Sequence, residues 1–480
     1  MQNPLDESLS RRELLHWGGP GLGGVALLSL LAQDRAHAAG LGAQAADPPP
    51  HFPPAAKRCI HIYACGGVSQ VDTFDYKPAL QELHGKSLSA DERPDVFFGQ
   101  VGLLRKPDWA FRQYGESGKW VSDLFPQLGR QVDQMAFIHS MYAETSNHTP
   151  GMFQANTGFR LNGFPTMGAW LSYGLGNETE DLPTYVVIPD VRGLPAGGSI
   201  NWTNGFLPAR HQGVVVKSRG TPIADLTPAR PIDPGTDAQS RDLLALVNRR
   251  HFEQRGHDDL AARIRAYELA ARMQLAVPGV AALERETPAT QALYGLDRPE
   301  TADFGRSCLL ARRLLEQGVR FVQLFAGGAF GSPRINWDGH ENMQQNHGQE
   351  ALRCDQPLAG LLADLQQRGL LDDTLVVFTS EFGRTPFAQS ADGVLGTGRD
   401  HNQNGFTVWL AGGGVKRGIT HGATDDVGYR AVQDRVSWYD LHATVLHLLG
   451  IDHERLTHYH NGIRRRLTNV HGTVVHQVVA

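Results

Sequence analysis

The second half of the chain alternates between helical patterns and short apolar runs typical of buried strands. In chain order these are a helix over 302–317, a strand over 319–325, a helix over 343–368, strands over 374–379 and 406–410, and a helix over 439–449. Parallel strands need a long crossover connection, which is usually a helix. The alternation therefore predicts an α/β fold, with a mostly parallel central sheet and helices on both faces.

The first half of the chain carries weaker signals. Its patterns predict strands over 59–65, 135–140 and 184–188, a helix over 122–133, a proline-rich surface linker over 220–235 and a long helix over 238–274. In open parallel sheets, ligands bind where loops leave the carboxyl ends of the strands. The residues that follow these strands are therefore the first place to look for a functional site.

The N-terminus resembles an export signal. Arg11 and Arg12 precede a mildly apolar, glycine-rich run over 17–32, and small residues at Ala36 and Ala38 fit a cleavage site. We predict a twin-arginine-type signal peptide over 1–38 and a Pro/Ala-rich tether over 39–57; an amphipathic N-terminal helix is the alternative. The expected location is periplasmic or at the cell surface, with no stable membrane span after cleavage.

Charge and cysteine usage exclude some classes of protein. The net charge of −5 argues against a nucleic-acid partner, because such proteins usually present a basic face. The four cysteines show no CxxC spacing, which argues against a thiolate zinc site. Most of them are expected to be buried free thiols, and one disulfide remains an open alternative.

Four segments place carboxylates and imidazoles just after predicted strands. They are 66–75, 139–158, 336–347 and 380–402. These side chains are the ligands that divalent Zn, Mn, Fe or Ca sites draw on in various mixtures. One such residue in a loop is usually a cap or a surface group, but four segments at one sheet edge favour a metal site.

Taken together, these segments resemble the alkaline-phosphatase superfamily, and in particular a bacterial, exported, sulfatase-like branch known as domain of unknown function family 1501. The matching strings are Trp-Asp-Gly-His at 337–340, Glu-Phe-Gly-Arg-Thr-Pro at 381–386 and Gly-Arg-Asp-His at 398–401. The resemblance implies one alkaline-phosphatase/sulfatase-like domain over 58–470, with an insertion around 190–300 and a tail over 471–480. It also implies one or two divalent metal ions (Zn, Mn or Ca).

By this resemblance, Asp338, His340 and His401 would hold the first metal. The second would take Asp72 (or Asp75) and Glu381. In the superfamily an Asp-His pair stands where this chain has Glu381 and Phe382, so the second site is short of one ligand.

The nucleophile position also differs from that of sulfatases. Counting back from Thr157 and Gly158, His148 occupies the place of the sulfatase cysteine that is oxidised to formylglycine. Thr149 is the nearest hydroxyl and a candidate nucleophile, with a helix N-cap as its alternative role. His148 is a candidate ligand or general acid/base.

Arg384 and Arg399 are candidates to clamp an anionic substrate, with structural salt bridges to Glu381 or Asp400 as the alternative. Asp400 is a candidate to orient His401, and His347 could extend the site or act as a cap.

These features predict an exported metal-dependent hydrolase of phosphate or sulfate esters, with a small-molecule or glycan ester as substrate. The alternative is a catalytically degraded relative that binds a sulfated glycan or a surface partner.

Overall fold

The computed structural model of the chain describes residues 49–480 except 89–93, 95, 225, 227–231 and 257. The predicted signal peptide and most of the predicted tether lie outside the described residues. The chain divides into two compact units, and the larger one comprises residues 47–230 and 268–480. In the smaller unit, the structure describes residues 232–256 and 258–267.

The described residues form strands of two to eight residues. In chain order they are β1 Arg58–Ala64, β2 Phe111–Tyr114, β3 Lys119–Ser122, β4 Met135–Tyr142, β5 Tyr185–Ile188, β6 Val214–Val215, β7 Phe321–Ala326, β8 Thr374–Thr379, β9 Gly383–Ala388, β10 Arg399–Asn402, β11 Phe406–Gly412, β12 Ile419–His421, β13 Ala423–Thr424, β14 Ala431–Gln433, β15 Val436–Ser437, β16 His458–His460 and β17 Ile463–Arg465.

Nine of these strands form the central sheet, in the order β12-β4-β11-β8-β1-β7-β5-β6, with β15 also paired to β4. Every pairing in this sheet is parallel except the two made by β11, which runs antiparallel to β4 and β8. The predicted α/β fold with a mostly parallel sheet is confirmed.

The described helices lie between these strands. In chain order they are α1 Gln70–Thr73, α2 Ala79–Glu82, α3 His148–Thr157, α4 Met167–Leu175, α5 Pro234–Arg255, α6 Asp258–Ala281, α7 Pro288–Leu293, α8 Pro299–Glu316, α9 Met343–Gln367 and α10 Trp438–Leu448. Among the described residues, no helix is both long enough and apolar enough to cross a membrane.

Helices cover both faces of the sheet. The residues of β1, a strand inside the sheet, pack against helices on either face. Ile60 and Ile62 belong to a core that includes Leu309 of α8 and Leu361 of α9. Tyr63, the residue after Ile62, belongs to a second core, formed with residues of α4 and α10 on the opposite face. Side chains alternate between the faces of a strand, so a run that is apolar throughout is buried on both sides.

Two expectations about local structure are wrong. No helix runs over 122–133, because Ser122 ends β3 and only a 3-10 helix follows, at Leu128–Gln134. Pro126 explains this, since a proline inside a helix clashes with the carbonyl four residues earlier. The long helix expected over 238–274 is divided, because Gly256 adopts a left-handed conformation (φ +62°) that ends α5.

All four cysteines, Cys59, Cys65, Cys308 and Cys354, are buried and free. The core holds them as small apolar groups, and burial raises their pKa values above the usual range of a thiol.

Candidate metal centre

The strands at the centre of the sheet bring three of the predicted segments together. Strand β1 lies between β7 and β8 and is parallel to both. Their carboxyl ends therefore meet at one edge, where Gly66 follows β1, the loop to Asp338 follows β7, and Glu381 follows β8.

Gly66 allows the close approach of the first two segments. Its φ is +115°, in the range that favours glycine, and a Cβ atom built there would lie 2.6 Å from the backbone nitrogen of Asp338. Any side chain at this position would push the Asp338 loop away from the sheet edge.

Four side chains with metal-ligating atoms converge on this edge. One ligand atom from each of the four lies within 4.8 Å of all the others; the residues, called here the His/Asp cluster, are His148, Asp338, His340 and His401. Oδ1 of Asp338 is their common neighbour, at 2.7 Å from Nε2 of His340, 3.1 Å from Nε2 of His148 and 3.4 Å from Nε2 of His401.

The far nitrogen of each imidazole is held by an oxygen atom. Nδ1 of His148 lies 2.7 Å from Oε1 of Glu381, and Nδ1 of His401 lies 2.5 Å from the carbonyl oxygen of Ser146. Nδ1 of His340 pairs with Oε1 of Gln389. A carbonyl can only accept, so His401 donates from Nδ1, and its Nε2 then carries a lone pair when the ring is neutral.

That tautomer leaves two acceptors facing each other. Burial lowers the pKa of His401 well below its usual range, which keeps the ring neutral at neutral pH. Its Nε2 lone pair and Oδ1 of Asp338 then face each other across 3.4 Å. A cation between them turns this repulsion into coordination, and three imidazoles with one carboxylate are a donor set that could bind a divalent metal.

The carboxyl group of Asp338 is held ionised. Burial opposes its ionisation, but the Arg384 guanidinium and hydrogen bonds from His148 and His340 lower its pKa well below the usual range. His148 shows the opposite direction: burial disfavours its charged form, but hydrogen bonds to Asp338 and Glu381 outweigh this and raise its pKa.

Arg384 lies behind the cluster and is fully buried. It contacts Oδ1 of Asp338 at 2.7 Å, donates from Nε to the carbonyl of Gly67 at 2.9 Å, and also donates to the carbonyl of Gly66. Arg384, a candidate anion clamp from the sequence, thus holds the Gly66 turn against the Asp338 loop, and its carboxylate partner is Asp338 instead of Glu381 or Asp400.

Asp72 is not brought to the cluster. Its buried carboxylate lies 2.7 Å from Nε of the equally buried Arg399 and accepts from the hydroxyl of Ser69 at 2.5 Å. Asp75 lies elsewhere again, beside Lys77 at 3.1 Å. The structure therefore does not assemble a second ligand set from Glu381 and either aspartate.

Glu381 is not one of the four cluster residues, but it contacts the cluster through His148. Besides holding His148, its Oε1 accepts from the backbone N–H of Gly66 at 2.9 Å. Phe382 is buried and packs against the ring of His401, with 4.6 Å between the ring centroids. Thr149 is the second residue of α3, because the helix begins at His148 and Asn147 is its N-cap.

His347 and Asp400 bind backbone groups near the cluster. Nε2 of His347 accepts from the N–H of Ser69 at 3.0 Å, and burial lowers the pKa of this histidine to about 3. Asp400 accepts from the N–H groups of His401 and Phe98, at 2.7 and 3.0 Å. Asp400 therefore fixes the backbone that carries His401 instead of contacting its ring.

Four residues around the site had no signal in the sequence. Arg334 pairs with Asp338 and Glu341, and Gln389 pairs with His340. Phe97 and Phe98 are about half exposed, and their rings lie 5.1 Å from His401 and 4.9 Å from His340, respectively. Nothing in a polar loop marks a phenylalanine as a neighbour of histidines hundreds of residues away.

Fold and site together define an α/β protein with a mostly parallel sheet and a His/Asp cluster of metal-ligating groups at the carboxyl edge of that sheet. The chain belongs to the family described as Protein of unknown function (DUF1501), whose match covers residues 56–479. No curated protein matches the chain.

Solved structures match the chain at low identity. The lipoteichoic acid synthase LtaP from Listeria monocytogenes is 11% identical, with 84% of this chain and 74% of that chain covered and a TM-score of 0.36. The PsFucS1 sulfatase from Pseudoalteromonas sp. is 13% identical, with 88% and 72% covered and a TM-score of 0.36. The alkaline phosphatase from the Antarctic bacterium TAB5 is 10% identical, with 82% and 98% covered and a TM-score of 0.31.

Proposed function

We propose that this protein is an exported metal-dependent hydrolase of phosphate or sulfate esters. The observation that carries the proposal is the contact between His401 and Asp338. Nδ1 of His401 donates to a backbone carbonyl, so Nε2 of the neutral ring carries a lone pair. This lone pair points at Oδ1 of Asp338, which is also an acceptor, across 3.4 Å. A divalent cation at this point satisfies both groups and would polarise a bound ester oxygen.

The donor set favours zinc or manganese over calcium. Calcium takes six to eight oxygen ligands, whereas imidazole nitrogens suit zinc and related transition metals. Three of the four donors here are imidazoles. One ion is proposed, because the guanidinium of Arg399 already neutralises Asp72, the carboxylate that would have held a second.

The residues of this chain have separate roles in the proposal. Asp338, His340 and His401 hold the ion, and Arg384 holds Asp338 in place by binding its carboxylate and the neighbouring turn. His148 lies on the open side, since its side chain is 14% exposed whereas those of the other three are at most 5% exposed. There it can complete the coordination or exchange a proton with the ester or water.

The open side is also where the substrate would approach. Phe97 and Phe98 are about half exposed beside His401 and His340, and they offer an apolar surface next to the proposed ion. In this arrangement the charged ester group lies at the ion, and the organic part of the substrate packs against the two phenylalanine rings. Thr149 remains a candidate nucleophile, next to His148 at the start of α3.

The cellular location completes the proposal. The paired arginines and the Ala36–Ala38 cleavage motif support export by the twin-arginine route, which as generally understood carries already folded proteins. A protein that acquires its metal in the cytoplasm would suit that route.

A second candidate is a binding protein with a structural metal. Four protein donors fill a tetrahedral shell, whereas catalytic zinc sites keep one position open for water or substrate. If His148 is a permanent fourth ligand, the ion has no open position for water or substrate. The site would then serve to bind a sulfated glycan or a surface partner.

An assay of the mature protein with and without metal separates the two. The chelator-treated chain is assayed on aryl phosphate, bis-aryl phosphate and aryl sulfate esters, then reloaded with Zn²⁺ or Mn²⁺. The proposal expects hydrolysis of at least one ester that is lost on chelation and restored by metal. A metal-loaded protein that hydrolyses none of the three supports the binding protein.

A further inference from the structure

A cavity lies outside the His/Asp cluster and shares no residue with it. Its volume is about 300 Å³, the lower end of the range for small-molecule sites. The cavity lies between the β2–β3 hairpin, the segment after α1, and strands β4 and β12. The lining side chains that carry the argument are Asp75, Tyr76, Lys119, Trp120, His139 and Thr420.

One wall is aromatic. The rings of Tyr76 and Trp120 lie 4.5 Å apart, and Phe111 supports Tyr76 from the hairpin at 5.1 Å. Trp120 is nevertheless 40% exposed, so much of its surface remains open to a ligand. Tryptophan and tyrosine combine a flat apolar ring with a polar group, which suits a ligand that has both apolar and hydroxyl surfaces.

The other walls supply both donors and acceptors. Lys119 donates from Nζ to the hydroxyl of Thr420 at 3.0 Å, and the carboxylate of Asp75 accepts from Thr424 at 2.5 Å. His139 pairs through Nδ1 with Thr407 at 2.9 Å. Sugar hydroxyls donate and accept at once, so they require such a mixed lining.

The charge of the lining favours an uncharged ligand. Burial lowers the pKa of His139, so this ring is neutral at neutral pH. The carboxylate of Asp75 is paired with Lys77 at 3.1 Å, and the ammonium of Lys119 is attracted to the carboxylate of Asp133, so each charge of the lining already has a partner of opposite sign. A sulfate or phosphate group would gain no net attraction here.

We propose that this cavity is a binding site for a neutral saccharide, with a sugar ring stacked on Trp120 and its hydroxyls bonded to the polar wall. The assignment uses no residue of the proposed metal centre and stands independently of the proposed hydrolase activity. Aspartate at position 75 belongs to this site, which gives a role to a residue of the 66–75 segment that the metal centre leaves unused.

Calorimetry on the full mature chain tests the site with cellohexaose, xylohexaose, mannohexaose and laminarihexaose as probes, and with a sulfated hexaose for comparison. We expect saturable binding of at least one neutral probe, about tenfold weaker in Trp120→Ala and retained in Trp120→Phe. Tyr459→Ala is the matched control, because this tyrosine is 65% exposed and lies outside the cavity.

His340→Ala should bind the saccharide as the wild type does, which separates this site from the metal centre. Absence of binding by all four neutral probes would overturn the proposal. Equal binding by wild type and Trp120→Ala, or tighter binding of the sulfated hexaose than of every neutral one, would also overturn it.

Discussion

Glu381 holds His148 by its far nitrogen: Oε1 of the buried carboxylate lies 2.7 Å from Nδ1 of the imidazole. The same oxygen accepts from the N–H of Gly66 at 2.9 Å, so the turn after β1 fixes the carboxylate and the carboxylate fixes the ring. Because Nδ1 is engaged, Nε2 is the atom that His148 presents to Asp338 and to the open side of the site.

Replacement of Glu381 by glutamine tests this contact. The amide keeps the shape and an acceptor oxygen but loses the charge that orients His148 and raises its basicity. We expect kcat/KM for ester hydrolysis to fall about 10–100-fold, with the metal content unchanged. Glu454→Gln is the control, since that side chain is 65% exposed in a surface pair. Equal activity of the two variants would contradict a role for Glu381 in orienting His148 for catalysis.

Arg384→Met should destabilise the fold. The change leaves the carboxylate of Asp338 without its buried partner and removes the donors to the carbonyls of Gly66 and Gly67. We expect the free energy of unfolding in urea to drop by about 3–5 kcal/mol. Arg417→Met, which breaks an exposed pair with Asp372, should cost about 0–1 kcal/mol. Similar losses in both variants would contradict the structural role of Arg384.

Phe98→Ala tests the approach of the substrate. The half-exposed ring lies 4.9 Å from that of His340, beside the proposed ion. Loss of its apolar surface should raise KM about tenfold and leave kcat nearly unchanged, because the ring binds the organic part of the ester and not the reacting group. A fall in kcat at constant KM would place Phe98 in the chemistry instead.

Asp355 gives stability a pH dependence. Its buried carboxyl group accepts from the N–H groups of Gln127 and Leu128, but burial dominates and raises its pKa to about 6. A raised folded-state pKa means that the folded protein holds the proton more tightly than the unfolded chain. Its contribution to stability is therefore full below about pH 4, falls as the pH rises to about 6, and is constant above that.

Asp355→Asn should abolish this component. Urea unfolding at pH 4.5 and 7 should show that the variant gains about 2 kcal/mol relative to the wild type over this interval. The exposed carboxylate of Asp372 provides the control in Asp372→Asn, which should track the wild type at both pH values. A constant difference between wild type and Asp355→Asn would refute the raised pKa.

The sequence patterns predicted the fold and the edge of the sheet at which the candidate site lies. Apolar runs of strand length between amphipathic helices leave few alternatives to a parallel sheet, and parallel strands share a carboxyl edge. The resemblance of the strand-end segments to the alkaline-phosphatase superfamily then implied Asp338, His340 and His401 as ligands. The helix expected over 122–133 failed because Pro126 outweighs the apolar spacing around it.

Other features depend on side-chain direction and tertiary pairing, which spacing does not encode. His148 joins Asp338 because β4 and the following loop deliver the start of α3 to the sheet edge. Asp72 and Arg399 are 327 residues apart and pair only in the folded chain. The sequence does not show that the carboxylate of Asp72 is already paired with a guanidinium, so Asp72 could be taken for a metal ligand. The two-metal interpretation could therefore be tested only once the fold was known.

The metal content of the purified mature chain tests the central claim most directly. Elemental analysis should find about one zinc or manganese ion per wild-type chain and less than about 0.3 in the double variant His340→Ala/His401→Ala, with His471→Ala, an exposed histidine, as the control. A wild-type chain that carries no divalent metal even after reloading, or a double variant with undiminished content, would contradict the metal centre at Asp338.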